Sequence, residues 1–272
     1  MNLLFSINRK FIPLWEQCMA TILRHGGAAH YDLYVLHSDL TGEDGARMQA
    51  ALRPQDSCTL VRVPEGLFEG FPETGRYPVQ IYYRLAAPLL LPEALNRILY
   101  LDVDTVILNS LEPLYTSDFA GAAFMACSHT DRFLNKFNQA RLGLEDGVRY
   151  LNSGVLMMDL ALLRRTLRLE DIRDYAGRYK NRLILPDQDI LTGLFGDKAL
   201  VLDSRIYNMT DRLYVRCSAL PSERLSLDWV RQNTVVVHYL GKPKPWQKNY
   251  IGPLGVFYQE ELALTRAAAE EA

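Results

Sequence analysis

Two carboxylates, Asp102 and Asp104, stand inside the apolar run Arg97-Ile98-Leu99-Tyr100-Leu101-Asp102-Val103-Asp104-Thr105-Val106-Ile107-Leu108. A run of that composition reads as a buried strand of a parallel sheet. Residues i and i+2 of an extended chain face the same way, so both acids are expected to point together at or just past the strand's end. Paired carboxylates there lose hydration and repel each other. A hard divalent cation with oxygen ligands, magnesium or manganese, relieves both costs. The alternative is that one Asp caps the next turn and the other stays in water.

Three further groups could join such chemistry. Asn152-Ser153-Gly154 places hydrogen-bonding groups and bare backbone inside an apolar segment, either for close approach of a ligand or as a β-bulge. Asp187-Gln188-Asp189 precedes a helical run; its members could hold hydroxyl groups, or Asp187 or Asp189 could be an N-cap. His238 ends an apolar run and is followed by Tyr239-Leu240-Gly241-Lys242-Pro243-Lys244-Pro245-Trp246. Neutral imidazole is a metal ligand, or simply a satisfied structural residue. Two lysines in a Gly/Pro loop suit an anion such as a phosphate.

These groups need a scaffold, and the pattern supplies one. Residues 3–7 read as a first buried strand, and 31–37 and 58–63 as a second and third, separated by helical patterns at 12–25 and 41–52, the second with Thr41 as N-cap and acids in its first turn. That alternation is the βαβ signature of a parallel α/β sheet. Residues 65–78, with three glycines and two prolines, form a loop that is either a lid or a surface excursion. A helical stretch over 79–91 carries an internal Pro88 that should kink or restart it. Further strands are expected at 120–127, 150–158, 199–202 and 234–238. Helices are expected at 169–182, 190–195 and 255–272. Residues 128–149 are polar and mixed, and with 207–224 are candidates for an acceptor side.

The chain has 272 residues, 49% hydrophobic and 23% charged, with net charge -2. That is a soluble globular profile, and no strong positive field argues for nucleic acid. Cys18, Cys58, Cys127 and Cys217 contain no CxxC pair and read as reduced thiols. The apolar start is too short for a signal sequence and its charge lies on the wrong side; no span is long enough for a membrane helix. A cytoplasmic protein is expected. The segment from Gly255 lacks a basic-aromatic stripe, so at most peripheral membrane contact is expected.

Taken together, Phe5-Ser6-Ile7-Asn8, the Asp102-Val103-Asp104 run, Tyr150-Leu151-Asn152-Ser153-Gly154-Val155-Leu156, Asp187-Gln188-Asp189-Ile190-Leu191 and the His238 to Trp246 segment resemble the ordered motifs of family-8 glycosyltransferases. The similarity spans roughly 1–250. It implies a GT-A-like, Rossmann-related α/β fold, with a mostly parallel central sheet flanked by helices and a small antiparallel addition. The domain would run over 1–254, followed by a helical tail at 255–272.

The resemblance also implies a metal-dependent, retaining transfer of a hexose, galactose or glucose, from a UDP-sugar to a glycan or glycolipid. Asp102, Asp104 and His238 would hold manganese, with magnesium possible, and Val103 lies within that motif. Asn8 and Phe11 would meet the uracil. Arg84, Asn152, Ser153, Gly154, Asp187 and Gln188 would line the sugar, and Gly241 and Lys244 the diphosphate. Gln188, with Asp187 and Asp189, falls at the reacting centre. Two rivals stand beside this reading. Leu101-Asp102-Val103-Asp104-Thr105 also fits the DxDxT loop of haloacid-dehalogenase-like phosphatases, and a sugar-nucleotide or glycan-binding module without turnover is the non-enzyme alternative.

Overall fold

The computed structural model describes residues 1–73, 78–219 and 225–270. The chain opens with β1 (Asn2–Ser6) and α1 (Ile12–His25), which buries Ile12, Trp15, Cys18, Met19 and Ile22 at helical spacing. β2 (Asp32–His37) follows. α2 (Gly42–Ala50) begins at a capping box, in which Thr41 accepts from the Asp44 N–H and Asp44 returns the bond. β3 (Ser57–Arg62) completes the first parallel unit. Pro88 does restart the chain: a 3-10 segment, Val79–Ala86, gives way to a short α-helix, Ala87–Leu90, with the proline in its first turn. In the 65–78 loop, Phe68 and Phe71 are buried, and Phe68 stacks on Tyr82 at 5.8 Å; residues 74–77 lie outside the described residues.

The apolar run at 97–108 is expected as one strand, and the structure divides it. β4 (Arg97–Leu101) ends at Leu101. The chain then turns through Asp102-Val103-Asp104. β5 (Thr105–Ile107) joins a separate antiparallel pair with β9 (Val236–His238), in which Thr105 faces His238. The two aspartates therefore converge through a turn and not through the strand pleat.

β6 (Phe124–Cys127) leads into α3 (Arg132–Leu142), capped by Asp131 and closed by Gly143 in the left-handed conformation at φ 64°. β7 (Val155–Asp159) is shorter than the expected 150–158 strand and leaves Asn152-Ser153-Gly154 just ahead of it; these residues are not a bulge within it. α4 (Pro186–Phe195) starts before Asp187, so Asp187, Gln188 and Asp189 occupy its first turn. Its N-cap is Leu185, so neither acid serves as the cap. β8 (Ala199–Leu202) follows. α5 (Gly255–Glu270) packs against α1, where Glu261 pairs with Arg24 and, at 2.9 Å, with His25.

The central sheet has the order β3-β2-β1-β4-β7-β6-β8. It is parallel except for β7, which runs antiparallel to both β4 and β6. Both faces are covered. Ile98 and Tyr100 of β4 point into one core, with Tyr82, Leu156 and Ile190. Leu99 and Leu101 point into the other, with Trp15, Met19 and Met157. Because β1 and β4 are parallel neighbours, the loop after β1 and the Asp102 turn leave the same edge of the sheet. Ligands of such sheets bind beyond that edge.

Candidate active site

β4, β9 and the segment before β7 deliver their polar residues to one place. His238 Nε2 lies 3.2 Å from Asp104 Oδ1 and 3.7 Å from Asp102 Oδ2. One ligand atom from each of these three residues falls within 4.8 Å of the others. Asp102 accepts from the Tyr100 hydroxyl at 2.6 Å, and Arg84 Nη1 lies 3.0 Å from the same oxygen. Lys244 donates to Asp104 and, at 2.6 Å, to the Tyr239 carbonyl. Burial alone would raise the Asp104 pKa, but His238 in its protonated form and the Lys244 ammonium outweigh it and hold the carboxyl below its ordinary range.

The tautomer of His238 follows from a chain of amides anchored on the backbone. The Gly154 N–H donates to Asn152 Oδ1 at 3.0 Å, which turns Asn152 Nδ2 toward Gln188 Oε1 at 2.8 Å. Asn208 Nδ2 also donates to Asn152 Oδ1, at 2.8 Å. That leaves Asn208 Oδ1 to accept from His238 Nδ1 at 3.0 Å. Backbone N–H groups cannot flip, so each side-chain amide is oriented in turn. His238 then carries a proton on Nδ1 and turns Nε2 toward two carboxylates, where it donates to them if it holds a second proton and offers a lone pair if it does not. That nitrogen is buried with no hydrogen-bond partner among the described residues. In the second form acceptors face acceptors, which is unfavourable unless a cation lies among them. The set of two carboxylates and one oriented imidazole fits a divalent metal ion.

Gly154 makes the approach possible: a Cβ there would stand 2.1 Å from His238 Cε1 and 2.8 Å from Asp102 Oδ2. Ser153 Oγ donates to Asp187 Oδ2 at 2.6 Å, and Arg84 donates to the Ser153 carbonyl at 2.8 Å. Arg84 Nε lies 3.6 Å from Asp187. Burial raises the Asp187 pKa, against the pull of Arg84. Gln188 Oε1 accepts from Asn152 and, at 3.3 Å, from the Ser153 N–H.

The other expected residues lie around this cluster. Asn8 accepts from the Lys10 N–H as a 3-10 cap, and Phe11 is exposed, both in the loop after β1. No hydrogen bond or ion pair joins either of them to the metal-competent set. Val103 sits in the aspartate turn with its side chain against the core. Gly241 adopts φ +80°, a conformation that favours glycine. Asp189 stands apart from the cluster. It is fully buried, and both its oxygens are taken by Arg141, Tyr150 Oη and the N–H groups of Ile184 and Leu185.

Asn208 carries no motif in Tyr207-Asn208-Met209-Thr210, and sequence reasoning misses it. Asn208→Leu should raise the metal concentration needed for half-maximal turnover by about 10- to 100-fold. A metal titration of the variant checks this, and an unchanged midpoint would refute the amide chain.

His129 donates through Nε2 to the Asn208 carbonyl at 2.7 Å, and its Nδ1 is buried without a partner among the described residues. Burial lowers its pKa from 6.5 to about 4. A lowered folded value means stability that is fully present above pH 6.5 and is lost as pH falls toward about 4. His129→Gln should remove that part of the acid limb, on the order of 1–3 kcal/mol. Thermal melts of both proteins between these pH values measure it.

The model of glycosyl transferase family 8 matches residues 2–250. The chain belongs to glycosyl transferase family 8. Among family-8 relatives, a putative glycosyltransferase of Haemophilus influenzae is 27% identical over 255 residues, covering 91% of this chain and 73% of that protein. The lipopolysaccharide 1,2-glucosyltransferase of Escherichia coli K12 is 25% identical, with 95% and 76% covered. The galactosyltransferase LgtC, solved with donor and acceptor sugar analogs, superposes with a TM-score of 0.82 at 25% identity, covering 97% of this chain and 95% of that one. An active-site mutant of LgtC with Glu in place of Gln superposes equally well, with a TM-score of 0.83. The expected mixed α/β fold with a small antiparallel sheet is thus the family-8 fold. Membership in family 8 also sets aside the DxDxT phosphatase reading. Among the described residues, no helix is long and apolar enough to cross a membrane.

Proposed function

We propose that this family-8 chain is a metal-dependent, retaining hexosyltransferase that moves galactose or glucose from a UDP-sugar to a glycan or glycolipid. The observation that carries the reading is the convergence of His238 Nε2, Asp102 and Asp104 beside Lys244. Manganese bound by those three residues, with magnesium as the substitute, would supply positive charge to the leaving diphosphate. Lys244 and the backbone at Gly241 would meet the same phosphates. Asn8 would hydrogen-bond the uracil, and Phe11 would stack on it.

Arg84, Asn152, Ser153, Gly154, Asp187 and Gln188 would orient the sugar hydroxyls. Their mutual hydrogen bonds hold them in place before substrate arrives, which lowers the cost of organising the transition state. Glycosidases that retain configuration use a carboxylate nucleophile. Here Gln188 Oε1 already accepts two hydrogen bonds, and the Asp189 carboxylate is enclosed. We therefore favour attack by the acceptor hydroxyl on the face of the departing phosphate, with Gln188 as electrostatic support. LgtC, whose active-site mutant carries Glu in place of Gln, offers a parallel in residue type.

A panel of UDP-, GDP- and ADP-sugars, assayed for nucleotide release with and without manganese, tests the reading. Metal-dependent release of UDP alone is the expected result. Binding of UDP-sugars without release would favour the non-catalytic module. A glycosyl adduct trapped on Gln188 or Asp189 of the unmodified protein would overturn the front-face route.

A further inference from the structure

Helix α3 (Arg132–Leu142) is inside out. The residues it turns toward the protein are Asn135, Asn138, Gln139 and Leu142. The amides are used there: Asn135 and Gln139 both donate to the Val148 carbonyl, at 2.9 and 3.0 Å, and Asn135 also accepts from the Tyr150 N–H. At about 100° per residue, the direction opposite those four residues falls on Phe133, Phe137 and Ala140. Phe133 is 84% exposed, Phe137 50%, and the adjoining Leu134 44%. An ordinary surface helix puts its apolar stripe inward and its polar face outward. Paired phenylalanines on the outermost face mark a surface that meets another apolar phase.

The flank of that face is basic. Arg132, Lys136 and Arg149 line an open cavity of about 500 Å³, together with Asp146. Arg132 and Lys136 have no partner among the described residues, and Arg149 makes one hydrogen bond, at 3.3 Å to the Thr130 carbonyl. Asp146 forms no ion pair with them, so three cations stand against one acid in a chain of net charge -2.

We propose that α3 lies flat on an anionic phospholipid bilayer. Phe133 and Phe137 enter the boundary between headgroups and acyl chains, and Arg132, Lys136 and Arg149 meet lipid phosphates. Aromatic side chains beside a cluster of cations on one helix face are the pattern of interfacial helices. A second copy fits less well, because a two-fold contact centred on Phe133 would bring the same cations of both chains together. A soluble anion would use the cations and leave the phenylalanines unexplained. α3 is also tied to α4, whose first turn carries Asp187 and Gln188, through the Arg141–Asp189 pair. A glycolipid acceptor would lie in the same membrane. This consequence, unlike the contact itself, rests on the proposed transfer to a glycolipid.

The test is flotation of the full chain with vesicles of phosphatidylglycerol and phosphatidylethanolamine, against vesicles of phosphatidylcholine. Binding should favour the anionic vesicles and weaken with salt. Phe133→Ser combined with Phe137→Ser should cut it roughly tenfold or more, and Arg132→Gln with Lys136→Gln should abolish the preference for anionic lipid. Circular dichroism verifies folding of the Ser pair, and its Tm should rise with manganese as that of the unaltered chain does. Absence of binding to anionic vesicles, or equal binding by the Ser pair, overturns the proposal. So does a dimer in light scattering that the Ser pair dissociates, or binding of inorganic phosphate without binding of vesicles. Loss of UDP release with vesicle binding intact would instead count against the transferase reading.

Discussion

Asp104→Ala is expected to lower metal-dependent transfer by on the order of 10³-fold or more, the scale seen when a preorganised charge contact is removed from a reacting centre. The variant should still fold, because Asp104 lies in a turn beyond β4 and the ladders on either side of it do not use its side chain. Asp102→Ala should do the same, with an added effect on Arg84 and Tyr100, which both contact that carboxylate. A second readout separates metal binding from turnover. A ligand that binds only the folded state raises stability by about 2.7 kcal/mol at a hundredfold excess over Kd. Thermal melts of the unaltered chain should rise with added manganese and return with chelator, and those of Asp104→Ala should not move. Near-normal activity of Asp104→Ala in chelator would remove the metal from the mechanism.

Asp189→Ala is expected to act on the fold. Its carboxylate neutralises Arg141, whose side chain is nearly buried, and accepts from Tyr150 and two backbone N–H groups. Removing one partner of a buried pair leaves an uncompensated charge and costs about 3–5 kcal/mol. For a chain of this size that corresponds to a fall in Tm of roughly 10 °C. Replacing both members, Arg141→Met with Asp189→Leu, should cost less than Asp189→Ala alone, because no charge is left buried. Melting curves of the three variants decide this. If Asp189→Ala melts like the unaltered chain yet loses turnover, Asp189 belongs at the reacting centre after all.

The parts of this molecule that sequence reveals are those written in local pattern. β1 to β4 are apolar runs bounded by turn residues, and Thr41 with Asp44 announces α2. The site motifs are legible because carboxylates, glycine and histidine are conspicuous in greasy segments. Pattern does not reveal a change of sheet. Val106 and Ile107 are as buried as Ile98 and Leu99, so the run at 97–108 looks continuous although the chain turns at Asp102. The reversed direction of β7 is likewise invisible, since both its faces are buried as in a parallel strand. Helix α3 defeats periodicity outright, because its inner face is made of Asn and Gln. Asn208, Arg141 and Tyr150 matter through partners far away in the chain, which no local window contains.

The pairing of β5 with β9 has a bearing on how this protein matures during synthesis. Thr105 meets His238 across a three-rung ladder, and His238 emerges from a ribosome only after every strand of the central sheet has been made. Domains generally fold as units once their chain is made. The third candidate ligand therefore joins the other two only when β9 pairs with β5, after every strand of the main sheet has been made.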